Sequence, residues 1–281
     1  MILCTKMNGN GNDFLVIDNM DLKYDKETLS GYAKALCRRR ESLGADGILV
    51  AEPSEVLDFR MRLFNRDGTE GEMCGNGARC IARYAFLKGI AKDPEMVFET
   101  LGGKIEAVVK GTRAVIKMSP VNVSGLLTDT AASVEGYDFN YTFLTVGVPH
   151  TVIFESKKLD SEDSYRRVGR AIRLRSDLFP EGSNINFVSP RGSFDKGLEG
   201  LTYERGVEDL TLSCGTGSAA SAIAAYMKGL AGPVVDVYNP GGLNRISISR
   251  GSSDTLLPEL EGGAAYIAEI EASEEALEKY N

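Results

Sequence analysis

Two periodicities organise the apolar positions of this chain. Leu3-Cys4-Thr5-Lys6-Met7 and Phe14-Leu15-Val16-Ile17-Asp18 read as strands, and the turn formers Asn8-Gly9-Asn10-Gly11-Asn12-Asp13 lie between them. Leu29, Tyr32, Ala33, Leu36 and Cys37 recur at helical spacing. Ile48-Leu49-Val50 and Met61 to Phe64 predict further strands. From Cys74 the period returns to helical, with Ile81, Tyr84, Ala85 and Leu87 near one face and Gly89 suited to the residue past the helix end. Strands follow around Met96 to Phe98, Lys104 to Val109 and Ala114 to Met118. The polar stretch from Ser119 to Asn140 reads as a linker.

Beyond it the plan repeats. Thr145-Val146 and Val152-Ile153-Phe154 predict strands flanking Pro149-His150, and Tyr165, Val168 and Ile172 predict a helix. Ile185 to Val188 and Leu201 to Tyr203 are strand-like. An alanine-rich helix opens at Cys214, and Val234 to Val237 and Ile246 to Ile248 follow as strands. Ala264 to Ile270 predicts a last strand that returns to the first half. The acidic tail from Ser273 reads as frayed.

The repeat is literal at two points. Cys74-Gly75-Asn76-Gly77 and Cys214-Gly215-Thr216-Gly217 each open an apolar helix that ends in Lys-Gly, at Lys88-Gly89 and Lys228-Gly229. Gly102-Gly103 is echoed by Gly241-Gly242. A duplicated unit follows. The expected fold is α+β: two mirrored pseudo-symmetric domains, each a sheet wrapped around a central helix, with the site in the cleft between them. The boundaries fall at 1–120, joined by a strand near 264–275, and 121–263.

Composition narrows the function. With 281 residues and 43% hydrophobic content, the chain can build two cores. A net charge of −8 argues against a phosphate backbone as partner. The basic runs Arg38-Arg39-Arg40 and Arg166 to Arg175 read as solvated helix faces. Five cysteines, an odd number with no CxxC pair, speak against a disulfide framework and for a reducing, cytoplasmic setting. Nothing resembles a signal peptide or a membrane span. One histidine and scattered cysteines give no metal-ligand spacing, and no lysine is marked out for pyridoxal. No metal, cofactor or membrane partner is expected.

The two cysteine motifs carry the chemistry. A thiol at a helix start ionises more readily, because unpaired N–H groups and the helix dipole favour the anion. The same N–H groups can hold a carboxylate, and the glycines let a ligand approach the backbone. Two such motifs facing one carbon could remove a proton from one side and deliver one to the other, inverting an amino-acid Cα. Cys4, Cys37 and Cys80 lack this context and read as core.

At these residues the chain resembles diaminopimelate epimerase. The likeness runs through Lys6 to Phe14, Gly44 to Gly47, Phe64 to Gly68, Cys74 to Arg79, Pro149-His150, Ser183 to Ile185, Tyr203 to Gly206, Cys214 to Gly217 and Pro240 to Gly242. It implies a homodimer that interconverts L,L- and meso-2,6-diaminopimelate in lysine biosynthesis without a cofactor. It implies Cys214 as proton acceptor and Cys74 as donor toward meso, with His150 and Glu204 tuning the thiols. Gly75, Asn76, Gly215 and Thr216 match the seat of the reacting carboxylate. Asn12, Asn65, Asn184, Glu204 and Arg205 match groups that hold the substrate. Two positions depart from the family pattern: Asn8 stands where His is usual, and Val148 where an Asn would meet the distal end of the substrate.

Three other readings fit parts of the sequence. A racemase of another amino acid, such as histidine, would use the same two thiols. A dinucleotide-binding enzyme is suggested by Gly215-x-Gly217-x-x-Ala220 after a strand, with Asp236 about twenty residues on. A non-enzymatic binding protein is the third. Glu204-Arg205 is placed in a strand-to-helix turn, where Arg205 could pair with a carboxylate and Glu204 with an ammonium.

Overall fold

A computed structural model describes residues 1–278. The chain divides into two compact units, Met1–Lys117 with the chain from Glu261 onward, and Met118–Leu260.

In the first unit β1 (Ile2–Gly9) and β2 (Asn12–Asp18) form a hairpin, followed by α1 (Lys26–Leu36), β3 (Gly47–Glu52), β4 (Phe59–Asn65) and β5 (Glu70–Gly71). The central helix α2 (Gly75–Leu87) comes next, then β6 (Glu95–Thr100), β7 (Gly103–Lys110) and β8 (Arg113–Lys117). The second unit contains β9 (Val121–Asn122), β10 (Leu127–Val134), β11 (Tyr137–Val146), β12 (Val148–Phe154) and α3 (Glu162–Arg173). It continues through β13 (Asn184–Arg191), β14 (Ser193–Glu204), β15 (Asp209–Thr211), the helix α4 (Gly215–Met227), β16 (Val234–Asn239) and β17 (Gly242–Arg250). The chain returns along β18 (Thr255–Gly263) to β19 (Ala265–Ala272), which pairs antiparallel with β1.

Strand for strand, the pairings repeat. β2 runs parallel to β3 and β3 antiparallel to β4, and β4 pairs antiparallel with β5 and parallel with β6. In the second unit β12, β13, β14, β15 and β16 pair in the same order and the same senses.

Each central helix is buried on nearly every side. α4 buries every residue from Gly217 to Ala225, so its Ala-Ser composition gives a slim rod that a sheet can wrap. α2 buries Asn76 to Ala82, Tyr84 and Ala85. The outer helices are amphipathic and capped: Asp25 accepts from the Thr28 amide at 2.8 Å, and Ser161 from the Ser164 amide at 3.2 Å. On α3, Arg167 and Arg170 are exposed and Arg166 is half-buried among Glu162, Asp163 and Asp209, whereas Arg173 is half-buried, so that basic run is solvated only in part. Cys4, Cys37 and Cys80 are buried in the first unit. Among the described residues no helix is long and apolar enough to cross a membrane.

Five readings of the sequence need correction. The turn between the first strands shrinks to Asn10-Gly11, both at positive φ, because Gly9 and Asn12 already pair. The supposed linker at 119–140 is mostly β structure. β10 pairs with β11 through a second such turn at Glu135-Gly136, and its polar residues belong to a strand with no fully buried position. Pro149 and His150 lie inside β12. β18 adds a strand absent from the elements read above, with Leu256, Pro258 and Leu260 alternating inward. In the tail, Glu274–Leu277 form a 3-10 turn that packs Ala276 and Leu277 beside the α1 core; the last three residues lie outside the described chain.

Candidate active site

Each unit presents its cysteine at the N-cap of its central helix. Cys74 is extended (φ −139°, ψ 122°), and its carbonyl accepts the first helical bond from the Ala78 amide at 2.7 Å. Cys214 is extended likewise (φ −106°, ψ 112°) and bonds the Ser218 amide at 2.9 Å. Gly75-Asn76 and Gly215-Thr216 therefore occupy the first helical turns, where N–H groups have no intrahelical acceptor.

In the first unit the Cys74 thiol donates to Asn12 Oδ1 at 3.5 Å. Asn12 Nδ2 donates to Asp46 Oδ2 at 2.5 Å. A carboxylate only accepts, so Asp46 turns the amide with its oxygen toward the sulfur. Asp46 is itself held by the Asp13 amide at 3.1 Å and by Arg39 at 2.8 Å. On the far side of the helix start, Arg79 is fully buried. Its guanidinium donates to Asn76 Oδ1 at 2.8 Å, Gly263 O at 3.3 Å and Gly75 O at 3.4 Å. Among the described residues none of these acceptors is a carboxylate; the nearby groups that can become anions are the thiols of Cys80 and Cys74. Burial pushes the Arg79 guanidinium down and the Cys80 thiol up to about 12. Asn65 ends β4, exposed, with Nδ2 on Thr69 Oγ1 at 3.0 Å. Asn8 does not face outward: its Oδ1 accepts from the Gly11 amide at 3.0 Å and closes the hairpin turn.

In the second unit Cys214 Sγ is buried and accepts from the Gly217 amide at 3.3 Å, with Thr216 Oγ1 at 3.5 Å. Burial holds the Glu204 carboxyl above the usual carboxylate range, with the Cys214 thiol among the groups that oppose the rise. Asn184 Oδ1 accepts from the Arg205 amide at 2.7 Å, and Arg205 Nη1 donates to Glu181 O at 2.6 Å. Glu204 ends β14 and Arg205 opens the turn to β15, which corrects the strand-to-helix placement. His150 stands opposite Asn184 in the β12–β13 register. It is completely buried, and desolvation pushes its imidazole down to about 3. Val148 is half-buried at the start of β12, where it pairs with Val146.

The structure thus gathers Asn12, Cys74, Gly75 and Asn76 at one helix start, and His150, Asn184, Glu204, Arg205, Cys214, Gly215 and Thr216 around the other. Sequence reasoning did not single out Asp46, Arg79, Asn186 or Thr202. A signal existed for Asn186: a polar residue inside the apolar run Ile185 to Val188 needs a buried partner. Among the described residues no group of three or more His, Cys, Asp or Glu side chains could hold a metal ion.

The fold is shared with racemases and related enzymes. A phenazine biosynthesis protein of the PhzF family from Bacillus anthracis aligns with a TM-score of 0.71 at 16% identity, covering 97% of this chain and 99% of that one. A probable proline racemase from Agrobacterium radiobacter K84 aligns with a TM-score of 0.69 at 14% identity, covering 98% and 93%. The class these structures define is therefore an α+β fold of two repeated units. Sequence gives the particular family. The diaminopimelate epimerase family model matches residues 4–123 and 142–259. Diaminopimelate epimerases from Hydrogenobaculum sp. and Archaeoglobus fulgidus are 41% and 39% identical, covering 86% and 95% of this chain and 89% and 94% of theirs. The chain belongs to the diaminopimelate epimerase family, and that membership sets aside the dinucleotide-binding and non-enzymatic readings.

Proposed function

We propose that this chain interconverts L,L- and meso-2,6-diaminopimelate, a step of lysine biosynthesis, through two thiols acting on opposite faces of one Cα. Toward meso, Cys214 accepts the Cα proton and Cys74 delivers one; the reverse reaction exchanges the roles. The observation that carries this reading is the matched N-cap position of both cysteines. A Cα proton is weakly acidic. The N–H groups of a helix start stabilise the charge that develops on an α-carboxylate with dipoles already in place.

The seat of that carboxylate is the backbone of Gly75, Asn76, Gly215 and Thr216. Asn12, Asn65, Asn184, Glu204 and Arg205 hold the remaining amino and carboxylate groups, and His150 and Glu204 set the state of the thiols. The Asn12 amide oxygen, turned to Cys74 by Asp46, supports a protonated donor on that side. Val148 leaves the distal end of the substrate to other donors. The active species is a homodimer.

Solvent deuterium uptake at Cα of diaminopimelate tests the reading. Wild-type protein is expected to exchange and invert, whereas Cys74→Ala and Cys214→Ala each lose inversion by at least about 100-fold. Inversion near the wild-type rate in either variant refutes the assignment. Faster turnover of a single-centre amino acid such as histidine would transfer the chemistry to another substrate.

A further inference from the structure

Under the α4 start lies a short buried chain of polar groups. Thr202 Oγ1 donates to Asn186 Oδ1 at 2.9 Å. Asn186 Nδ2 lies 3.1 Å from Thr151 O, 3.4 Å from Asn184 O and 3.2 Å from His150 Nδ1. Carbonyl oxygens only accept, so the two backbone carbonyls decide which end of the amide is the nitrogen. The Thr202 hydroxyl agrees, since it donates to the other end. An NH2 group directed at Nδ1 requires that Nδ1 carry no proton.

We propose that Asn186 is a positioning residue that fixes His150 as the neutral Nε2–H tautomer, a standing hydrogen-bond donor rather than a base. Nε2 is buried and, among the described residues, has no partner. A buried N–H left open costs free energy, so its acceptor comes with a ligand. A carboxylate or another anionic oxygen suits an N–H donor beside a helix start. Burial opposes protonation of the ring most, and Arg205, the charged group that acts on it, has the same sign; the bond to Asn186 would favour the charged ring only if the amide accepted, and its NH2 end at Nδ1 removes that support. The arrangement is tightly built. A Cβ on Gly217 would stand 2.3 Å from Asn186 Oδ1 and 3.0 Å from Thr202 Oγ1, so the glycine lets the helix start close onto the amide.

The inference deepens the proposed role of His150 and rests on it. His150 is the only histidine of the chain, so the imidazole signals in a long-range proton–nitrogen-15 spectrum of the full-length labelled protein belong to it alone. A neutral ring protonated at Nε2 throughout pH 6 to 8 is expected. A ring protonated at Nδ1, or an imidazolium in that range, overturns the proposal without any variant. Asn186→Asp replaces the donor by an acceptor and is expected to move the proton to Nδ1 or charge the ring. Deuterium uptake should then fall by roughly 100-fold, the scale of losing one preorganised donor. Asn186→Leu should release the tautomer to a mixture. Either variant, folded by circular dichroism yet still holding a neutral Nε2–H ring, shows that Asn186 does not fix it. Wild-type protein with the expected ring but no exchange on diaminopimelate would instead refute the epimerase reading and leave this one standing.

Discussion

Beneath the start of α2, Gly77 rests on Leu49, Met61 and Phe14; beneath the start of α4, Gly217 rests on Asn186 and Thr202. The registers make these positions equivalent. Phe14 faces Gly47 as His150 faces Asn184, so Leu49 corresponds to Asn186 and Phe14 to His150. Inside the helices the polarity is exchanged: Arg79 in α2 corresponds to Ala219 in α4, and both are fully buried. One backbone design therefore carries two opposite electrostatic settings. The first thiol has a cation within its helix and an apolar floor. The second has a carboxyl beside it and a polar floor. The duplicated unit has diverged at the positions that surround each thiol, and titratable groups in unlike surroundings have their acidities pushed apart.

Arg79 offers the largest test of that difference. Arg79→Met strips the donor from Asn76 and the Gly75 and Gly263 carbonyls, and should cost roughly 3 kcal/mol of unfolding free energy in denaturant titration. In the folded fraction the alkylation midpoint of Cys74 should move to higher pH by about one unit, while that of Cys214 stays put. Equal shifts of both thiols would show that Arg79 has no specific bearing on Cys74.

The two glycines give a smaller contrast. Gly217→Ala drives a methyl into Asn186 Oδ1 and should cost roughly 2 kcal/mol. Gly77→Ala meets the flexible ends of Leu49 and Met61 at 3.0 and 3.5 Å and should cost under about 1 kcal/mol, partly offset by better helix propensity. Equal costs would mean that the polar floor is no stiffer than the apolar one.

His150 supplies the gentlest effect, a slope with pH. Its folded pKa of about 3 lies below the ordinary 6.5. Above 6.5 neither state binds the proton. Below 6.5 the unfolded chain binds it and the folded one does not, so stability falls as pH drops toward 3, by roughly 1.4 kcal/mol per unit. Burial raises the Glu155 carboxyl to about 6 and the Glu204 carboxyl in the same direction, which tilts the curve the other way over part of this range. The His150 contribution is therefore the difference between wild type and His150→Gln, whose curve should fall less steeply from pH 6.5 to 5. A slope unchanged by the substitution would assign it elsewhere.

The sequence by itself determined the elements with strong periods, the duplication and the two cysteine helix starts, because apolar spacing and Cys-Gly-x-Gly are local signals that burial then enforces. It also displayed the family motifs that named the site residues. It did not display β10 or β18. Their polar or proline-bearing stretches become strands only because partner strands accept their backbone hydrogen bonds. Nor could it separate Arg79 from an ordinary helix-surface arginine, or show that Asn186 meets His150. Those contacts join residues far apart in the chain, and their chemistry depends on which groups share a space that water has left. Tertiary structure decided that, since a buried charge or amide is defined by the acceptors folded around it.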